Sequence, residues 1–243
     1  LLRFSGLDAN LALMLEGEFL LLAGLRLGQP YLRFLAAIVF VFPLFKLGLF
    51  DLLKGEFVAV AGTSLKAWTP VALLTAAVFY LNRWLTWRAR PVPVASLEVG
   101  YGFAATALLV VILGIELPLE NKGLGWLLLA VPLFEVGLRK GFEEFRIHSY
   151  LVAVVGLIAL FLVNVLGAPG IDATVHVWTA LAPAVVLAYC AAARVHALSP
   201  ERLTNFERAT VRFVSSWAGT VLAAAVVWHV LPRAYLGLGW MAL

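Results

Sequence analysis

The chain is poor in the residues from which most soluble active sites are built. It has one cysteine, four histidines and two methionines in 243 residues, and charged side chains make up only 13%. A lone Cys190 excludes an internal disulfide, and no Cys/His spacing fits a structural metal site. No Walker or dinucleotide glycine motif, no HExxH and no compelling Ser, His and Asp order is present, so the common nucleotide, zinc-protease and serine-hydrolase chemistries find no support. Soluble domains carry roughly 25% charge, and half that value leaves too little polar surface to cover a water-exposed globule.

What replaces the missing charge is apolar: 63% of residues are hydrophobic, and mean hydropathy is +0.97. Apolar stretches of about 20 residues recur, each long enough to cross a hydrocarbon core of about 30 Å as a helix. Continuous runs rather than alternating ones select helices over a barrel. The expected fold is all-α, a polytopic transmembrane helical bundle. Eight spans are expected near 8–27, 31–50, 67–87, 97–117, 124–139, 147–167, 175–194 and 211–231, with the start of a ninth at 236.

Basic residues alternate with these spans. Arg26 and Arg33, then Arg83, Arg88 and Arg90, then Arg139, Lys140 and Arg146, then Arg194, Arg202, Arg208 and Arg212 follow the odd-numbered spans, twelve of the 18 lysines and arginines. Arg3, Lys54, Lys66, Lys122 and Arg233 fall on the other side, and Lys46 lies inside a span. By the positive-inside rule the loops after odd-numbered spans are cytoplasmic. The same placement accounts for the net charge of +4 without nucleic acid. In the longest such connection, 194–212, Ser199-Pro200-Glu201 reads as a helix start, of a surface amphipathic helix or of a solvated connector.

Three short words recur at nearly one offset. GLGW at 123–126 returns at 237–240, GLRLG at 24–28 returns as GLRKG at 137–141, and WT at 68–69 returns at 178–179, with offsets of 114, 113 and 110. A shared offset argues for parallel helical-hairpin repeats. The hairpins are 1–66, 67–122, 123–174 and 175–235, and 236–243 opens a further span within one membrane domain. Trp68, Trp126, Trp178 and Trp240 stand near the outer starts of odd-numbered spans and read as interface anchors. The beginning at Leu1 without Met and the end in GLGWMAL are what a piece of a longer protein would show.

Ionisable groups at membrane depth are functional candidates. Glu16 and Glu18 lie in the middle of the first span and Lys46 in the outer part of the second, at depths that a lysine stem can bridge. An ion pair of Lys46 with either glutamate is expected, against a lysine that snorkels outward alone. Glu135 and Arg139 can pair four residues apart, and Asn82 and Asn164 suit hydrogen bonds between helices. His148 and His196 fall in basic loop segments. His176 and His229 come at similar depth on adjacent spans, where two neutral imidazoles are able to hold haem iron or another metal. Both neighbour tryptophans, so interface residues are the favoured reading and no cofactor is expected.

At GLGW, FEVGLR and FRIHSY the chain resembles the large bacterial multi-spanning membrane proteins of unknown function built from tandem hydrophobic hairpins. The resemblance implies a bacterial inner membrane location and transfers no catalytic residue. VASLEVGYGF departs from it by placing Glu98 where other units carry a basic residue. Three functions remain open: a non-enzymatic scaffold or subunit of a larger membrane assembly, with lipid and other membrane subunits as partners; a transporter or lipid-handling protein using Glu16, Glu18 and Lys46; and a haem or enzymatic membrane protein. If the two histidines are interface residues, the visible spectrum of the purified protein has no Soret band.

Overall fold

The computed structural model describes residues 7–51, 57–60, 63–89, 97–167, 177–232 and 235–241. It is helical apart from one short β-ribbon and divides into two compact units, Leu1–Ile112 and Leu113–Leu243.

Unit 1 opens with an antiparallel pair, α1 (Leu7–Arg26) and α2 (Pro30–Lys46), and α2 widens into a π-helical turn over Leu47–Asp51. The ribbon follows as β1 (Phe57–Val60) and β2 (Thr63–Lys66), with Phe57 opposite Lys66 and Val60 opposite Thr63. Then come α3 (Thr69–Ala89) and α4 (Leu97–Glu116), the latter running to the unit boundary. The core of unit 1 is a cluster of three rings from three helices. Phe40 stands edge-on to Phe79 and to Tyr101, with centroids 5.2 and 5.7 Å apart. Such contacts add about 0.5–1.5 kcal/mol each beyond the area they bury.

Unit 2 holds α5 (Lys122–Lys140), α6 (Glu143–Leu160) with a π-helical extension to Val165, a π-helical turn at Val177–Leu181 leading into α7 (Ala182–Ala197), α8 (Asn205–Val230) and the short α9 (Leu236–Met241). Its core is aliphatic and small: Leu127, Leu160, Leu181, Ala184, Leu222 and Ala225. Small residues let backbones approach where lipid tails are as apolar as leucine and packing supplies the attraction. A Cβ on Gly123 would lie 2.7 Å from the Gly156 carbonyl oxygen, so α5 and α6 cross with their backbones in contact.

The α1–α2 and α5–α6 turns share one geometry. Gly28 and Gly141 adopt left-handed φ of 65° and 71°, which lets each helix stop and reverse without a Cβ penalty. Four residues earlier, a Cβ on Gly24 would meet Arg33 at its Cγ (2.8 Å) and backbone nitrogen (2.9 Å), and a Cβ on Gly137 would meet Arg146 at the same atoms (2.7 and 2.9 Å). Each turn therefore seats an arginine of the second helix on a glycine of the first.

Among the described residues, four helical stretches are long and apolar enough to cross a membrane by length and composition: Leu97–Glu116, Glu143–Val165, Val177–Ala197 and Asn205–Val230. That is fewer than the eight and part of a ninth expected, although a helix lies at each expected place. Charge and length make the difference. α1 carries Asp8, Glu16, Glu18 and Arg26, α5 carries Lys122, Glu135, Arg139 and Lys140, α3 has Asn82, Arg83 and Arg88, and α2 proper has 17 residues. The ribbon was not anticipated. The helix start is also later than Ser199, which caps only a single 3-10 turn at Pro200–Arg202, while Thr204 caps α8 through a reciprocal capping box with Glu207.

The close crossing gives a stability test. Gly123→Ala is expected to cost about 1–3 kcal/mol because backbone must move, seen as a lower unfolding midpoint in detergent. Gly100→Ala, where the added Cβ meets nothing within 4 Å, gains up to about 1 kcal/mol by helix propensity.

Candidate functional site

Asn10, Met14 and Glu18 follow one another at four-residue steps and so share one face of α1, spanning about 12 Å of helix rise. That face carries the polar interior of unit 1. At its start the Asn10 amide and the Lys46 ammonium both donate to Asp51 Oδ2, each at 2.8 Å. Asp51 is 3% exposed and Asn10 is fully buried. Residues five apart point to different faces of an α-helix, and the wider π turn brings Asp51 round onto the side of Lys46.

One step on, Thr75 Oγ1 of α3 donates to its own helix at the Val71 carbonyl (2.7 Å) and lies 3.1 Å from Met14 Sδ. A further step brings the Glu18 carboxyl to the Asn82 amide. Here satisfaction is incomplete: Glu18 Oε1 and both amide atoms of the fully buried Asn82 lack a well-formed hydrogen bond. Tyr101 of the aromatic cluster lies within electrostatic reach of Glu18, Glu98 and Arg33. Arg33, 4% exposed, closes the series with a 2.8 Å bond to Glu98. The glutamate that departs from the repeat pattern is thus the partner of a buried arginine.

Unit 2 places its charges nearer helix ends. Arg194 grips Glu135 with two bonds, of 2.7 and 3.1 Å, while the anticipated partner Arg139 stands at 3.4 Å from the same carboxylate. Glu207 caps α8 and receives Arg146 Nε and the Tyr150 hydroxyl, each at 3.2 Å. Asn164, in the π turn after α6, donates across to the Glu120 carbonyl at 3.1 Å.

The sequence candidates fall unevenly on this arrangement. Glu18 faces the interior of unit 1, whereas Glu16, two residues earlier, is exposed. Lys46 bonds Asp51, a residue that the expected span boundary had left outside the search. Trp68 is buried within unit 1 at 2% exposure, Trp126 packs against Gly114, and Trp178 is 63% exposed. The backbone of Trp240 lies in α9. His176 lies outside the described residues, and His229 is half-buried in the last turn of α8. Among the described residues no three His, Cys, Asp or Glu side chains gather in a metal-binding group. His148 is not in a loop: it is buried on α6, edge-on to Phe145 at 5.7 Å. Arg33 and Arg146, counted above as loop charges, are likewise held in ion pairs inside their units. The helical periodicity of Asn10, Met14 and Glu18 was the available signal for the polar face.

Comparison of the chain with protein-family models, with curated proteins and with solved structures finds no match.

The Asp51 cluster can be tested by substitution. Asp51→Ala removes the acceptor shared by Asn10 and Lys46, and the loss is expected to be about 3–5 kcal/mol, as for other broken buried pairs. Replacing all three polar groups by Asn10→Leu, Lys46→Met and Asp51→Leu is expected to recover most of it, because the donors and the acceptor that depend on one another are removed together. Chemical unfolding in mixed micelles reads both.

Proposed function

We propose that the chain is a multi-pass membrane protein acting as a non-enzymatic scaffold or subunit of a larger membrane assembly. The observation that carries this reading is an inside-out distribution of polarity. Asn10, Arg33, Asp51, Asn82 and Asn164 are buried, while Phe19, Val41, Phe42, Phe213, Trp217 and Trp228 are exposed. No more than a third of the apolar window of any candidate span is buried within the chain. Such surfaces suit lipid or neighbouring helices and are larger than water-exposed proteins tolerate. The polar contacts that tie helices together, Arg33 to Glu98, Asn10 to Asp51 and Arg194 to Glu135, are short, as parts of a framework are.

In this reading the remaining four long helices also cross or dip into the bilayer, with Arg33, Lys46 and Glu135 held in ion pairs, and the arginine-rich turns face the cytoplasm of a bacterial cell. Duplication of a hairpin is supported by the common offset of 113 residues that relates Gly24, Gly28 and Arg33 to Gly137, Gly141 and Arg146.

One feature favours a second reading, transport of a proton or small cation through unit 1: half-buried Glu18 beside fully buried Asn82, mid-helix, with polar atoms unsatisfied. Gentle purification from the native membrane followed by mass spectrometry separates the two. Stoichiometric partner subunits, with Glu18→Gln changing neither assembly nor ion flux in proteoliposomes, support the framework. A solitary protein whose proton or cation flux falls at least about tenfold with Glu18→Gln replaces it with transport.

A further inference from the structure

Unit 2 contains two cavities whose linings touch at two side-chain contacts. The first, about 360 Å³, runs between α5, α6, α7 and α8 and is walled by apolar side chains including Leu127, Phe134, Leu157, Leu187, Ala191 and Ala218. Its volume lies within the range of about 300–1,000 Å³ usual for small-ligand sites. Its polar end is formed by Glu135, Arg194 and Tyr150. The second cavity, about 560 Å³, is lined by Arg139, Lys140, Arg146 and Arg202 against Glu201 and Glu207. Two contacts join them: Glu135 to Arg139 at 3.4 Å, and Tyr150 to Glu207 at 3.2 Å.

The cations are not equally committed. Arg146 is turned to Glu207, and Arg202 donates to the Leu138 carbonyl at 3.2 Å. Arg139 is 73% exposed, and the carboxylate it approaches is already held by two shorter bonds from Arg194. It approaches Glu135 through Nε, and a guanidinium is a planar group of five donors whose geometry suits a phosphate.

We propose that these neighbouring cavities together bind one anionic phospholipid, with an acyl chain in the apolar groove and the phosphate at Arg139 and Lys140. An apolar channel that ends in a basic pocket at the ends of membrane-length helices matches the amphiphilic pattern of such a lipid. The excess of cations over carboxylates in the second cavity favours a net negative head group over a zwitterionic one. A helix from a partner protein would have to bury those charges, and a free anion would leave the groove unfilled. The site rests on the membrane reading given above.

The test is native mass spectrometry of the full chain from neutral detergent, after exchange with phosphatidylglycerol or phosphatidylcholine of identical acyl chains. The wild-type chain is expected to retain one phosphatidylglycerol about tenfold or more over phosphatidylcholine. Combined Arg139→Glu and Lys140→Glu abolishes that preference. Ala191→Phe obstructs the groove and removes retention of both lipids, and Ala218→Phe, from another wall helix, repeats the obstruction independently; circular dichroism verifies that each variant stays helical. Equal retention of the two lipids by the wild type overturns the site, as does a preference that survives the charge reversal, or a stoichiometric polypeptide displaced by Ala191→Phe. A chain that stays monodisperse in water without detergent overturns the membrane reading itself, a result distinct from these.

Discussion

Desolvation of charge governs how this molecule is organised. A carboxylate or guanidinium withdrawn from water loses several kcal/mol of hydration, and the loss is offset only where a partner with good geometry stands at the same place. In a chain with 13% charged residues, each such group has few available partners. The helices are therefore held in particular registers by where those partners are. Lys46 and Asn10 meet on one oxygen of Asp51, Arg33 meets Glu98 across 65 residues of sequence, and Arg146 meets Glu207 across 61. Apolar packing fills the space between these points, with a ring cluster in unit 1 and small aliphatic residues in unit 2.

The same constraint explains the π-helical turns. Asp51 and Asn164 both sit on one, and both reach partners there. A wider turn re-aims a side chain without ending the helix, and its looser backbone geometry is repaid by a satisfied polar group. The glycine-arginine turns work from the opposite side. By removing a Cβ at Gly24 and Gly137, they let the backbone of the returning helix come close enough for its arginine to lie against the first helix.

Much of the helical layout was legible in the sequence, because continuous apolar runs bounded by Gly, Pro and Arg have one physical reading. α1, α3, α4 and α5 end within a few residues of their expected limits. Legibility failed where an interaction crosses between elements. The partner of Lys46 was sought on α1, since nothing local tells that a π turn will carry Asp51 back to it. Arg33 was read as a loop charge because its neighbour Glu98 is distant in sequence. Composition overstated the number of clear spans, for hydropathy averages conceal charges that α1 and α5 concentrate on one face or at their ends. The α8 start is signalled in the sequence by Thr204-x-x-Glu207 rather than by the Ser199-Pro200 pair. Of the candidate site, Glu18 was legible and its relation to Asn82 was not.

Glu207 has a consequence for how unit 2 moves. Its carboxylate accepts from the Thr204 backbone at the first turn of α8 and from Arg146 and Tyr150 on α6. Tightening of the α8 helical end and docking of α6 are thereby one event. A rotation of α6 that withdrew Arg146 and Tyr150 would take two donors from the carboxylate whose other oxygen completes the α8 cap, so a torque on α6 reaches α8 at its first turn. Unit 2 is geared at that residue.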